Sequence, residues 1–190
     1  MPTVVEKWFD TSFAQLHPLL QALHRQGGSL SGPVEIAFGR GPGGFIGRRI
    51  ARGLGIPTDR GSHSLHVSIR STGDTLHWDR QFDGQRWFRS TFTAVGQFPA
   101  GHWEERSGAV RLRLRVSIVD GAWHWQHTGS WLGPLPLPRA LLPRTTARKE
   151  IVAGKYRFLV AIGLPLVGTV LQYSGDLEPA TASCHAPELS

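Results

Sequence analysis

From His63 to Val95 the chain reads HSLHVSIRSTGDTLHWDRQFDGQRWFRSTFTAV, and this stretch restricts the fold more than any other. Leu65, Val67 and Ile69 fall on one parity, and Ser64, His66, Ser68 and Arg70 on the other. Side chains of a strand point alternately to opposite faces, so this is a half-buried strand. Ser71-Thr72-Gly73-Asp74 supplies turn chemistry, with Gly open to positive φ and Asp able to bond its own backbone. A second strand follows, with Leu76, Trp78, Arg80 and Phe82 on one face and Thr75, His77, Asp79 and Gln81 on the other. Asp83-Gly84 is a hairpin signal. The third strand sets Phe88, Ser90 and Phe92 against Trp87, Arg89, Thr91 and Thr93.

Arg80 breaks this pattern. It shares the expected core face with Leu76, Trp78 and Phe82. A buried guanidinium is costly unless it is paired and hydrogen-bonded. Two readings follow. Arg80 either pairs with a core carboxylate or snorkels out near a strand end, or it lines an interior cavity and receives an anionic ligand.

The alternation continues downstream. His102 to Arg106 is a short strand that places Glu105 on the parity of Trp103. In residues 109–119, Val110, Leu112, Leu114, Val116 and Ile118 face inward, and Asp120-Gly121 is a second hairpin signal. Ala122 to Thr128 returns. Gly133 to Pro143 holds four prolines and cannot form a central strand; it reads as a stiff apolar connector, a candidate lid over one barrel mouth. It leads into Thr145 to Val152, and Ala153-Gly154 turns the chain. Tyr156, Phe158, Val160 and Ile162 share one face, Leu164-Pro165-Leu166 breaks the run, and Val167, Thr169, Leu171 and Tyr173 continue it.

Upstream the period changes. Residues 11–26 carry Phe13, Leu16, Leu20 and Leu23 at helical spacing, with Thr11 or Ser12 as cap and Gly27-Gly28 as stop. Pro18 either sits in the first turn of a helix that starts near His17 or kinks a longer one. His17 and His24 are two turns apart, too far to share a metal, and read as ordinary helix residues. After the strand Val34 to Phe38, Gly39 to Gly55 (GRGPGGFIGRRIARGLG) resembles the phosphate loop of short-chain dehydrogenases, and Gly39, Gly41 and Gly44 satisfy G-x-G-x-x-G. That fingerprint requires a βαβ unit and a parallel sheet beyond it. Everything from His63 onward reads as antiparallel hairpins, so the stretch is a tight turn and a short helix with Ile46, Ile50 and Leu54 inward. No cofactor is assigned.

Composition narrows the partners. The net charge is +7 and the pI about 10.7. The basic residues are scattered, however, and the stripe Arg111, Arg113, Arg115 alternates with apolar residues as the wet face of one strand. This excludes nucleic acid as the expected partner. A single Cys rules out a disulfide framework or a Cys-based metal site. His124 and His127 point to opposite faces of one strand, and with His102 they make no metal site. The run Phe158 to Leu171 is interrupted by Gly163, Pro165 and Gly168, and a span needs about 20 apolar residues, so no membrane span is expected. The start of the chain lacks the order of a signal peptide, which points to a cytoplasmic protein.

The segments LHPLLQALHRQGG, GRGPGGFIGRRIARGLGIP, LHWDRQF, FRSTF and GKYRFLVAIGLPLVGTVLQYSGDL resemble an uncharacterised bacterial domain-of-unknown-function family, family 4166. The resemblance covers nearly all of the chain up to the tail. Some members are fused to dehydrogenase-like or epimerase-like modules, so the resemblance implies a dehydrogenase-like protein as one candidate partner. It implies no mechanism.

About nine antiparallel strands need a solution for their edges. The expected fold is mainly β, an antiparallel meander closing into a lipocalin-like or other calycin-like barrel with two N-terminal helices; a START-like helix-grip fold is the alternative. Residues 1–177 form one domain with a helical segment over 11–55, and 178–190 are a disordered tail. A barrel of about eight strands holds one small ligand. The expected function is therefore binding of a small apolar or acidic molecule. Trp78, Phe82, Phe88, Phe92, Tyr156 and Tyr173 would wall the cavity, Arg80 would take an acidic head group and Ser90 would hydrogen-bond it. The alternatives are an accessory domain for the dehydrogenase-like partner, and an enzyme using Glu105 as general acid or base near Arg80. No nucleophile–base pair is visible, so no catalytic residue is assigned.

Overall fold

The chain begins with a helix that its own first residues nucleate. In a computed structural model, which describes residues 1–137 and 144–179, α1 spans Val4–Phe9 and opens on a capping box formed by Thr3 and Glu6. Each side chain satisfies a backbone N–H of the other, the reciprocal arrangement that starts a short helix. A 3-10 turn, Asp10–Gln15, follows. Helix α2, Pro18–Gln26, starts at His17, whose Nδ1 accepts from the Leu19 N–H at 3.2 Å, with Pro18 in the first turn. Helical structure thus begins at Val4, seven residues before the expected boundary, and neither Thr11 nor Ser12 is the cap of α2. Six residues hold too little of a 3.6-residue period to show against their surroundings.

Eleven strands complete the described chain: β1 Gly28–Phe38, β2 Gly61–Thr72, β3 Thr75–Phe82, β4 Phe88–Val95, β5 His102–Ser107, β6 Val110–Val119, β7 Ala122–Leu132, β8 Leu135–Pro136, β9 Arg144–Val152, β10 Lys155–Leu164 and β11 Gly168–Pro179. Between β1 and β2 lies α3, Gly41–Gly53. All pairings are antiparallel, in the order β6-β5-β4-β3-β2-β1-β11-β10-β9-β7, and β7 pairs back onto β6. Ten strands therefore close into a barrel, which removes every edge except that covered by the two-residue β8. The expected barrel is present, with one strand more than the sequence count.

The meander follows the expected register. Leu65, Val67 and Ile69 are buried on β2, and Leu76, Trp78 and Phe82 on β3. Asp120 and Gly121 both have positive φ and join Val119 to its partner Ala122 directly, a two-residue hairpin turn. Asp83 and Gly84 also have positive φ, but pairing resumes only at Phe88, so their turn opens a five-residue connection over 83–87. Leu135 and Pro136 pair with Trp131 and Leu132 as an edge strand; the rest of the proline-rich connector, 138–143, lies outside the described residues. Strand β11 reaches Pro179, which pairs with Leu30, two residues past the expected domain end. Residues 180–190 of the expected tail lie outside the described residues.

The two ends of the barrel are treated differently. At one end α1 packs on β3 and β4, and α2 on β2 and β9. The Phe98 N–H donates to the Trp8 carbonyl at 3.1 Å, and the His17 N–H to the Gly121 carbonyl at 3.0 Å. Trp8 meets Trp103 edge-on at 5.3 Å and Phe9 meets Trp123 at 4.9 Å, so aromatic rings floor this end. Along the wall, α3 packs against β11 and β1. Its buried residues are Gly43, Gly44, Gly47 and Ala51, while Ile46, Ile50 and Leu54 are only half-buried. The face against β11 is therefore the small-residue face; of the expected face, Ile50 and Leu54 pack partly buried against the core and Ile46 is half-buried. A Cβ on Gly47 would lie 1.9 Å from the Val170 carbonyl oxygen, and one on Gly44 would lie 2.6 Å from that of Gly39. Within the fingerprint-like stretch, Gly47 is thus needed for helix-to-strand contact and Gly44 for the turn that opens the helix, while an added Cβ on Gly41 would meet nothing within 4 Å.

Candidate ligand-binding site

The barrel encloses a cavity of about 170 Å³. Cross-strand register explains its lining, because residues directly opposite one another in an antiparallel pair point to the same face. Val67, Arg80 and Phe88 form one inward row across β2, β3 and β4. Leu76, Phe92, Glu105 and Leu112 form another across β3 to β6. Across the gap, Trp123, Lys149 and Phe158 line up on β7, β9 and β10.

Of the nine residues expected at the site, Trp78, Arg80, Phe88, Phe92, Glu105, Tyr156 and Tyr173 line the cavity. Ser90 and Phe82 stand behind that wall. Ser90 is fully buried; its Oγ accepts from the Arg80 guanidinium at 3.2 Å and lies 2.9 Å from the Ser107 Oγ. Phe82 packs edge-on against Tyr173, ring centroids 5.8 Å apart. Arg80 also lies over the Phe88 ring, 5.7 Å from its centroid. Among the described residues no ion pair joins Arg80 to Glu105 or to another carboxylate, and both side chains line the cavity. One neutral hydroxyl and one ring hold the guanidinium.

A second cation was not expected. Lys149 on β9 is buried and lines the same cavity. Its Nζ lies 3.1 Å from the centroid of the Trp78 ring, 4.9 Å from that of Trp125 and 5.3 Å from that of Trp123. Among the described residues neither a hydrogen bond nor an ion pair holds it. Burial first, and the Arg80 guanidinium second, push its amine well below the usual lysine range, against a smaller pull from the Glu105 carboxylate. The signal was legible: Thr145, Ala147, Lys149 and Ile151 share one parity, so Lys149 interrupts an inward face just as Arg80 does.

His24 of α2 completes the floor. Its ring stands 4.8 Å from Trp123 and 5.9 Å from Trp78, and among the described residues neither ring nitrogen has a hydrogen-bond partner. Burial, and then the charge of Lys149, lower it to about 3, so it is neutral near pH 7. It is a core residue and not the ordinary helix histidine expected; Phe13, Leu16 and Leu20 precede it at helical spacing on the buried stripe. Tyr156 is buried with its hydroxyl unpartnered. Burial raises that phenol well above its usual value, so it stays protonated.

Two features thus define a class: a closed ten-stranded antiparallel barrel, and an interior of aromatic rings interrupted by Arg80, Lys149 and Glu105. Among the described residues, no helix is long and apolar enough to cross a membrane. No curated protein matches the chain. The family model described as "Domain of unknown function (DUF4166)" matches residues 16–177, and the chain belongs to that family. The match takes in every strand of the barrel except the last two residues of β11.

Proposed function

We propose that the barrel is a binding module for a small molecule with an apolar body and an anionic head group. The observation that carries this reading is the charge inside the cavity. Among the described residues Arg80 lines it without an ion pair, beside the buried amine of Lys149 and one carboxylate, Glu105. Burying an unpaired cation is unfavourable, and a ligand anion offsets that cost. Arg80 supplies a planar fork suited to a carboxylate. Trp78, Phe92, Tyr156 and Tyr173 supply the apolar contact.

Size limits the ligand. An engineered cavity of ~150 Å³ holds benzene, and pockets for drug-sized ligands run to ~300–1,000 Å³. At about 170 Å³ the site suits an acid of benzoate size. The test is titration of benzoate and of uncharged toluene, followed through tryptophan fluorescence. Saturable benzoate binding that weakens at least tenfold in Arg80→Met, with toluene affected little, supports the reading. Equal binding of both molecules, or of neither, sinks it.

A further inference from the structure

The Lys149 side chain is placed as a nucleophile is placed, and the ligand reading alone does not require that. A lysine that only neutralises an acid needs a position at the rim, where its stem packs and its head stays in water. Lys149 is instead drawn wholly into the barrel, among the rings of Trp78, Trp123 and Trp125. The other two lysines of the chain are exposed, Lys7 facing Asp74 and Lys155 facing Glu178. Among the described residues Lys149 has no such carboxylate in contact.

We infer that Lys149 captures the carbonyl carbon of a small oxo acid as a Schiff base, with Arg80 holding the acid's carboxylate. This rests on the anionic-ligand reading above and names its substrate class. An amine desolvated in an apolar pocket beside a second cation keeps the lone pair that attack requires, and the lowered basicity of Lys149 agrees with this. Its Nζ attacks the carbonyl carbon, forming a C–N bond as the C=O electron pair moves to oxygen. The resulting carbinolamine loses that oxygen as water. Two protons must travel from nitrogen to the departing oxygen for a neutral imine to remain. Two further cavity groups suit that transfer: the Glu105 carboxylate, and the Tyr156 hydroxyl, which is buried, protonated and without a partner. No oxidant or co-reactant is needed, since the sum is amine plus carbonyl giving imine plus water.

The experiment treats the whole chain with pyruvate or phenylpyruvate in the presence of sodium borohydride, which reduces an imine to a stable secondary amine. Intact mass and peptide mapping then locate the adduct. The expected result is a single addition, the mass of the oxo acid less one oxygen atom, on Lys149. It should be absent in Lys149→Met and at least tenfold slower in Arg80→Met, both checked for retained β-sheet dichroism. Lys7, Lys155 and the amino terminus serve as internal controls in the native protein, so the result stands even if a variant misfolds. Labelling of those three amines at or above the level of Lys149, or an unlabelled Lys149, overturns the inference. Benzoate, which has no reactive carbonyl, separates the two readings. Benzoate bound with Lys149 unlabelled removes only the Schiff base; neither binding nor labelling removes both.

Discussion

The Nζ of Lys149 stands 3.1 Å from the centre of the Trp78 ring, with no carboxylate in contact among the described residues, inside a barrel whose other interior groups are mostly apolar. The rings of Trp78, Trp123 and Trp125 are its nearest compensation for lost water. An amine taken out of water with no hydrogen-bond acceptor is unfavourable in either protonation state, and contact with the rings offsets only part of that cost. The position is therefore held at a net cost to the fold.

That imbalance sets the first expected outcome. Lys149→Met keeps the length of the side chain and removes the buried amine, so the protein should become more stable. For a chain of this size each kcal/mol moves the midpoint by about 2–4 °C, and a rise of a few degrees in thermal melting is expected. A fall of several degrees would show that the amine is paired in a way the geometry does not reveal.

Arg80 should behave differently. Among the described residues its polar contact is one hydroxyl, Ser90; a hydrogen bond from a charged donor nets about 1.5–3 kcal/mol, and the cost of drawing the guanidinium partly out of water offsets most of it. Arg80→Met should therefore change stability by about 1 kcal/mol or less, whereas breaking a buried ion pair would cost roughly 3–5 kcal/mol. In a double-mutant cycle with Glu105→Gln, the coupling should stay near the ~0.5 kcal/mol limit of independent sites. Urea denaturation of the four proteins measures both quantities.

Gly47→Ala tests the packing of α3. The added Cβ would lie 1.9 Å from the Val170 carbonyl oxygen and 2.8 Å from its carbon, so the helix must move off β11. Backbone cannot give way as a flexible side chain does. A loss of about 3 kcal/mol, at the upper end of ordinary overpacking costs, is expected by chemical denaturation. Gly53→Ala, where an added Cβ meets nothing within 4 Å, should be neutral or slightly stabilising.

The pH dependence of stability has a sign that His24 decides. Its folded value, about 3, lies below the ordinary 6.5. Between those values the unfolded chain binds a proton at His24 that the native protein refuses, so stability rises with pH across that window and is lost on acidification. The slope from one such group is at most about 1.4 kcal/mol per pH unit. His24→Leu should flatten the acid limb of a stability–pH profile between pH 6 and pH 4; an unchanged limb would mean that His24 is not neutral in the fold.

Much of the barrel was legible along the chain because a strand writes its two faces as a period of two. Strand β3 came out at Thr75–Phe82, and the inward rows of β2, β4, β6 and β10 followed from the same alternation. Arg80 stood out because it broke that period. Lys149 broke it equally, between Ala147 and Ile151, but a more polar strand gave the break less contrast. Other facts belong to no local stretch. The closure of β1 onto β11 across more than a hundred residues, and the pairing of β7 with β9, depend on which edges meet in space. That Arg80 faces a hydroxyl and not Glu105, that three distant tryptophans surround Lys149, and that His24 of a helix floors the same space are consequences of that closure. The helical period of α3 named its Ile residues as the inward face, yet a helix lying this close to β11 admits only glycine and alanine there. Local sequence determined which side chains share a face; only the closed sheet decided which faces share a cavity, because burial is a property of what lies opposite and not of what lies adjacent.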